Sequence, residues 1–205
     1  MPAMLDRRKW IEVLSRKLPG EQAQLRMAPA FRGQVSSPEK PLEAAVLALL
    51  YPSDGQLHLV FIKRNEYDGP HSGQISFPGG AREAGDLSLK ETALREAREE
   101  VGINGRIEVV GSLTPLHIPV SNFMVYPYVG WMKETPVFHP DPSEVQYVVE
   151  APLNTLLDPS NCDSETLFHH GIPIEAPYYR VGEEKIWGAT AMILCELLQL
   201  TTSLQ

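Results

Sequence analysis

The sequence predicts a layered α/β fold, and three features carry that expectation. Two apolar runs, Leu42–Leu50 and Leu57–Lys63, flank the turn-forming Pro52-Ser53-Asp54-Gly55 and read as paired strands. A helix bounded by Ser88 and Gly102 is apolar on one side only. A strongly apolar segment, Ala189–Thr201, reads as a second helix near the C-terminal end, with Ile193, Leu194, Leu197 and Leu198 on its packing side. Helices of this kind must bury one side against a sheet, which gives layers.

The elements follow in order. Arg7–Leu18 reads as an amphipathic helix with Trp10, Ile11, Val13, Leu14 and Leu18 as packing residues and Pro19-Gly20 as its stop. Residues 21–43 contain Pro and Ser and lack periodicity, so an ordered wrap or loop is expected there. The hairpin leads into a loop, Arg64–Ser76. Ser88 and Glu91 then form an S-x-x-E capping box, and Gly102 stands where a left-handed residue ends a helix. Between them Ala93, Leu94, Ala97 and Val101 share one side, with small alanines that allow close packing on a sheet. Arg106–Leu113 and Phe123–Met132 are expected as strands, joined by the polar loop Thr114–Asn122. Val145–Val149 is a further strand, and Pro152–Leu157 a short helix with Pro in its first turn. Thr166–His169 and Tyr178–Val181 are short strands, and Trp187 is expected in the core.

A chain of 205 residues holds one domain with a buried core or at most two small ones. Residues 1–205 are read as a single domain, with 1–40 as its N-terminal helix and wrap. A formal charge of -8 argues against a general nucleic-acid surface, which is normally basic. It leaves room for a phosphorylated small-molecule substrate, because metals and a few cations reverse the sign locally. Cys162 and Cys195 are too few for a disulfide scaffold or a zinc site. The first twenty residues lack a long apolar run, and no stretch reaches the ~18 apolar residues of a membrane span. A cytoplasmic enzyme without a membrane partner is therefore the expectation, and a homodimer is left open.

The chemistry concentrates in Phe77–Ile103. Glu96, Glu99 and Glu100 fall at i, i+3 and i+4, so a helix stacks them on one face. Like charges so placed repel unless a divalent cation joins them, and oxygen-only ligands point to Mg²⁺ or Mn²⁺. A solvated acidic face is the plainer alternative. Arg95 lies four residues after Glu91 and four before Glu99, where it can neutralise and orient carboxylates. Gly79 and Gly80 lack a Cβ, so their backbone can approach a metal or phosphate closely.

These residues resemble the Nudix hydrolase signature, G-x5-E-x7-R-E-U-x-E-E-x-G-U with U aliphatic. Gly80 matches its first glycine and Arg95–Ile103 its second half. Asp86 stands where the first glutamate is expected, with eight residues before Arg95 rather than seven. This reads as a one-residue extension of the preceding loop, leaving Asp86 or Glu91 to brace the arginine. The resemblance implies an α/β/α sandwich around a mixed β-sheet. It further implies metal ligation by Glu96, Glu99 and Glu100, with Glu144 as a later ligand or general base and Glu150 behind it.

Leu59–Arg64 followed by Gly73–Gly80 is also similar to the extra motif of coenzyme A pyrophosphatases, and Ile186–Ala191 to that family's WGAT segment. Asn65 replaces a serine of the motif and Gly69 its second arginine. The implied reaction cuts coenzyme A or its derivatives into 3′,5′-ADP and 4′-phosphopantetheine or its derivative. Arg64 is the first phosphate contact to expect and Lys63 the second, with Lys63 or His71 able to compensate for Gly69. His117 is a further phosphate contact or base, and Tyr178, Tyr179 or Trp187 a surface for the base or pantetheine. Pyrophosphatase activity on ADP-ribose or NADH is the close alternative. A Nudix module that only binds a ligand or protein is the distant one.

Overall fold

The computed structural model describes residues 5–30, 40–69, 71–169 and 172–204. Residues 31–39 of the expected wrap lie outside them, as does His170. The chain opens with helices α1 (Arg7–Leu14) and α2 (Glu21–Gln24) and strands β1 (Leu42–Ser53), β2 (Gln56–Arg64), β3 (Ile75–Ser76) and β4 (Gly79–Ala81). Helix α3 (Leu89–Val101) follows, then β5 (Glu108–Ser112), β6 (Leu116–Ile118), β7 (Phe123–Trp131) and β8 (Val145–Pro152). The remainder is α4 (Leu153–Leu157), the strands β9 (Cys162–His169), β10 (Ile172–Val181) and β11 (Glu184–Trp187), and α5 (Gly188–Leu200).

Among the described residues β1–β8 form one mixed sheet and β9–β11 a three-stranded antiparallel one. Asp54 and Gly55, both with positive φ, make the two-residue turn between β1 and β2. The two strands pair only from Ser53↔Gln56 to Leu50↔Leu59 and then part. Strand β3 pairs with β2 and β4 with β1, so Phe77-Pro78 crosses the opening between them. On its other side β1 runs parallel to β7, whereas β8 covers the outer edge of β2.

Alternation along β1 explains the layers. Ala45, Leu47, Leu49 and Tyr51 pack with Ala93, Ala97 and Val101 of α3. Ala44, Ala48 and Leu50 face the other way, into a larger core with Trp10, Leu14, Leu194 and Leu197 of α1 and α5. A strand buried on both faces needs helices on both, which is the predicted α/β/α sandwich. No helix among the described residues is long and apolar enough to cross a membrane.

Several boundaries differ from expectation. Helix α1 stops at Leu14 because Ser15 turns its hydroxyl back to the Glu12 carbonyl; Leu18 still packs on the core. The short α2 forms where a loop was expected, entered through Gly20 at φ 70. Strand β11 escaped notice because its charged residues mask its alternation. Trp187 is not in the core: it pairs opposite Tyr178 and is only half-buried, while Ile186 is buried.

One buried carboxylate ties the N-terminal segment to the sandwich. Glu196 on α5 is fully buried and accepts from the Gly20 N–H at 3.0 Å, Gln24 Nε2 at 2.9 Å, the Thr114 N–H at 3.1 Å and Thr114 Oγ1 at 2.6 Å. Gln24 Nε2 also donates to the Thr114 carbonyl at 2.8 Å, so removing the carboxylate would leave the Gly20 and Thr114 donors short of a partner in a partly buried place. Glu196→Ala is therefore expected to cost about 2–4 kcal/mol, or roughly 5–15 °C in Tm, by thermal unfolding. A variant that melts with the wild type would refute the tie.

Candidate active site

Helix α3 is built as its sequence indicates. Ser88 Oγ accepts the Glu91 N–H at 3.3 Å, and the Glu91 carboxylate reaches back past the Ser88 N–H expected of a capping box to the Leu87 N–H at 3.1 Å. At the other end Gly102 adopts φ 59. A Cβ there would lie 2.1 Å from the His139 carbonyl. That closeness is functional in the packing: the His139 N–H caps the Val101 carbonyl at 2.9 Å and the Asp141 N–H the Glu100 carbonyl at 3.0 Å. The segment 139–145 is thus docked on the helix end, and it carries Glu144.

Arg95 organises the acidic face. Its Nε and Nη2 grip both oxygens of Asp86 at 3.0 Å each. Its Nη1 donates to Glu96 at 3.0 Å and to Glu99 at 2.8 Å. Asp86, not Glu91, is therefore the brace, and the turn closed by Asp86 N–H on the Glu83 carbonyl absorbs the extra residue. Asp86 also accepts from the Glu83 N–H and Thr92 Oγ1, both at 2.9 Å. The guanidinium of Arg95, followed by these donors, holds its carboxyl well below the usual range.

Beneath this face lies the fork between β1 and β2. By register Gly80 sits opposite Ala45 and looks toward α3; a Cβ on it would come 2.5 Å from Glu96 Oε1. Gly79, at φ 154, presses against the Ala45 carbonyl and donates its N–H to Glu100 Oε2 at 2.7 Å. Glu100 is 1% exposed, and burial pushes its carboxyl up to about 8 against the Gly79 N–H and Arg64. Burial likewise raises Glu96 despite Arg95. Glu144 adds like charge to both Glu96 and Glu100, which brings the downstream carboxylate to the cluster. Glu99 remains largely exposed, at 57% of its side chain.

The donor set fits a hard divalent cation. Glu96, Glu99, Glu100 and Glu144 offer only oxygens, and burial disfavours the Glu100 charge, which a cation would stabilise further than Arg64 and the Gly79 N–H do. As the side chains stand, no three His, Cys, Asp or Glu residues among those described converge to metal-ligand geometry. Arg95 occupies the oxygens of Glu96 and Glu99 instead.

The other predicted residues divide. Arg64 reaches Glu100 Oε1 with Nη1 at 3.4 Å and belongs to the cluster. Lys63 points the other way and pairs with Glu184 Oε2 of β11 at 3.0 Å, where Tyr147 also bonds. His71 contacts Gln74 at 3.2 Å and Ser121 at 3.3 Å, so it links the loop after β2 to the loop after β6. His117 lies 3.3 Å from Asn122 Oδ1. Tyr178 is buried on the three-stranded sheet against Lys185 and Arg180, away from the contacts of the carboxylates. Glu150 accepts the Tyr51 hydroxyl at 2.7 Å. Sequence reasoning passed over Tyr126, half-buried opposite Ala45 and so in one row with Gly80; its place follows only from the parallel register.

Two substitutions test this geometry. Gly80→Ala should leave the fold intact but displace Glu96 and lower turnover more than tenfold, measured beside the melting temperature. Asp86→Asn should loosen Arg95. Because the Asp86 carboxyl is depressed in the folded chain, its stabilisation is full above the unfolded value of about 3.9 and is lost as pH falls through and below it. Urea titrations should therefore separate wild type from variant at pH 6 and converge toward pH 2. A constant gap would show that the ion pair is not its source.

Residues 41–170 match the NUDIX domain family. The chain is 37% identical to Nudix hydrolase 15, mitochondrial, of Arabidopsis thaliana over 79% of its own length and 59% of that protein's. It is 34% identical to the Nudix hydrolase NudL of Pectobacterium atrosepticum over 85% of this chain and 88% of the relative. Among solved structures, a MutT/nudix family protein from Enterococcus faecalis superposes with a TM-score of 0.55 at 19% identity, covering 84% of this chain and 66% of that one. The names of these relatives give the superfamily and no substrate. The matched domain, the relatives and the glutamate helix over its glycine turn agree: this chain belongs to the Nudix hydrolase superfamily.

Proposed function

We propose that the chain is a divalent-metal-dependent hydrolase of a nucleoside diphosphate linked to a second group, with ADP-ribose and nicotinamide dinucleotides as first candidates. The observation that carries this reading is the meeting of Gly79-Gly80 with Glu100 and Glu96. A buried carboxylate, a backbone N–H and open glycine backbone together form a seat for a cation and a phosphate rather than a solvated surface. Mg²⁺ or Mn²⁺ held by Glu96, Glu99, Glu100 and Glu144 would supply charge neutralisation on the diphosphate and an acidified water.

The chain's own residues do the rest. Arg95, braced by Asp86, holds Glu96 and Glu99 near the site by one bond each. Glu144, on the segment docked to the end of α3, accepts the proton from the attacking water. Arg64 contacts the diphosphate oxygens, and Gly79 and Gly80 let them approach. The bridging P–O bond then breaks, and each product leaves as a phosphate ester.

Charge supports substrates without an additional phosphate. Coenzyme A carries a 3′-phosphate that needs cations of its own. Lys63 is neutralised by Glu184, and Gly69 stands at the arginine of the coenzyme A pyrophosphatase motif. Coenzyme A remains the second reading because Gly73–Gly80 and Trp187–Thr190 match that family's segments.

Product-resolved hydrolysis of ADP-ribose, NADH, coenzyme A and 3′-dephospho-coenzyme A, with Mn²⁺ or Mg²⁺ and an EDTA control, tests the proposal. Metal-dependent release of AMP from ADP-ribose or NADH is expected. Preferential release of 3′,5′-ADP from coenzyme A would replace it with the second reading, and no turnover of any diphosphate would favour a binding module. Glu99→Gln and Glu100→Gln should each lower turnover roughly a hundredfold or more while the chain stays folded. Retained turnover in both would refute their role.

A further inference from the structure

Arg64 is held in an unusual way. The register between β2 and β8 slips between Lys63 and Arg64, which pair with Tyr147 and Val145 and leave Gln146 unpaired. The extra residue belongs to β8, so the bulge bends that strand where it begins, next to Glu144. Alternation along β2 sends Lys63 to Glu184 and places Arg64 on the face of Val60 and Ile62, toward α3 and Glu100. The neighbouring Asn65 N–H donates to the Glu144 carbonyl at 3.1 Å, so the same bend is tied to the segment bearing Glu144.

The contact that results is a loose one. Arg64 Nη1 stands 3.4 Å from Glu100 Oε1, longer than the ~2.7–2.9 Å of a strong charge-assisted bond. Its Nε–H is buried and has no partner among the described residues. The other oxygen of Glu100 is kept by the Gly79 N–H at 2.7 Å whatever Arg64 does. A buried N–H without an acceptor is rare in folded proteins and calls for one. Nearby along β3, Ser76 Oγ is also buried without a partner, opposite Ile62 and so two residues before Arg64 on the same strand face. Two orphaned donors thus adjoin the end of the glutamate cluster that a diphosphate would reach.

We propose that Arg64 is an exchangeable counter-ion. It neutralises Glu100 while no divalent cation is bound, is released when a cation takes that carboxylate, and then presents Nε and its terminal nitrogens to the diphosphate. This rests on the reading of Glu100 as a metal ligand. The exchange makes cation and diphosphate bind cooperatively, since each removes a partner that the other must displace, and the coupling is reciprocal. It also explains why a guanidinium suits this position: a planar fork can leave a carboxylate and grip a phosphate with two parallel bonds.

The test is Mn²⁺ binding to the full chain by calorimetry, with and without α,β-methylene-ADP as an uncleavable diphosphate. In the wild type the analogue should tighten Mn²⁺ binding. Arg64→Gln should bind Mn²⁺ alone roughly tenfold more tightly, having lost the competing charge, and lose most of the coupling. Arg64→Lys keeps the charge, so its affinity for Mn²⁺ alone should stay near wild type while coupling falls. Unchanged or weaker Mn²⁺ binding by Arg64→Gln, in a variant that melts cooperatively, would overturn the exchange. Glu100→Gln separates the two levels of the argument. If it binds Mn²⁺ as the wild type does, the metal-ligand reading has failed and the exchange with it. If it loses Mn²⁺ while Arg64→Gln gains nothing, only the exchange has failed.

Discussion

The separation of β1 from β2 after four residue pairs governs the rest of the site. Two strands that stayed paired would close the sheet beneath α3 and leave no room for a third backbone. Because they part, β4 enters against β1, and its Gly80 comes within a Cβ's reach of Glu96. The same opening delivers the Gly79 N–H to Glu100. The fork therefore fixes backbone donors under a helix that supplies carboxylates, and neither component would be positioned without the other. Phe77 anchors the crossing by packing on Phe61 at a ring-centroid distance of 4.7 Å.

Charge balance is the second theme. Glu83, Asp86, Glu96 and Glu99 all lie within ion-pair reach of Arg95, and Arg64 faces Glu100. With Glu144 nearby, six acidic groups share two guanidinium groups. Such an excess is unfavourable in a partly buried place, and burial of Glu100 aggravates it. The structure answers with a division of labour: Asp86 takes the strongest grip of Arg95, leaving the glutamates with single contacts. Ligands held by one bond each can turn toward a cation at little cost, whereas the brace stays in place.

How much was legible in the sequence depended on how local each signal was. Ser88 and Gly102 bound α3 to the residue because capping is decided within a turn. The glutamate face followed from the same periodicity. Asp86 was ambiguous, since spacing along the chain cannot say which of two carboxylates a turn brings to an arginine. Lys63 and Arg64 looked alike as strand-end cations; alternation puts them on opposite faces, and only the distant β11 and α3 decide that one meets Glu184 and the other Glu100. Strand β11 and the half-buried Trp187 were missed for a related reason, because pairing with β10 outweighs their own pattern. Tyr126 needed the parallel register of β1 and β7, which no local feature announces.

The cap on α3 has a consequence for how this chain can change length. Its last carbonyls are satisfied by His139 and Asp141, so the helix end is completed by backbone from beyond β7. Between Trp131 and His139 the chain is exposed at Lys133, Glu134, Thr135 and Val137, and extra residues there would extend a loop over solvent. A residue added between His139 and Asp141 would pull one helix cap away from the other, and one added between Asp141 and Val145 would displace the carboxylate of Glu144. Length variation among descendants of this sequence should therefore collect before His139 and stop abruptly at it, a boundary drawn by hydrogen bonds rather than by secondary structure.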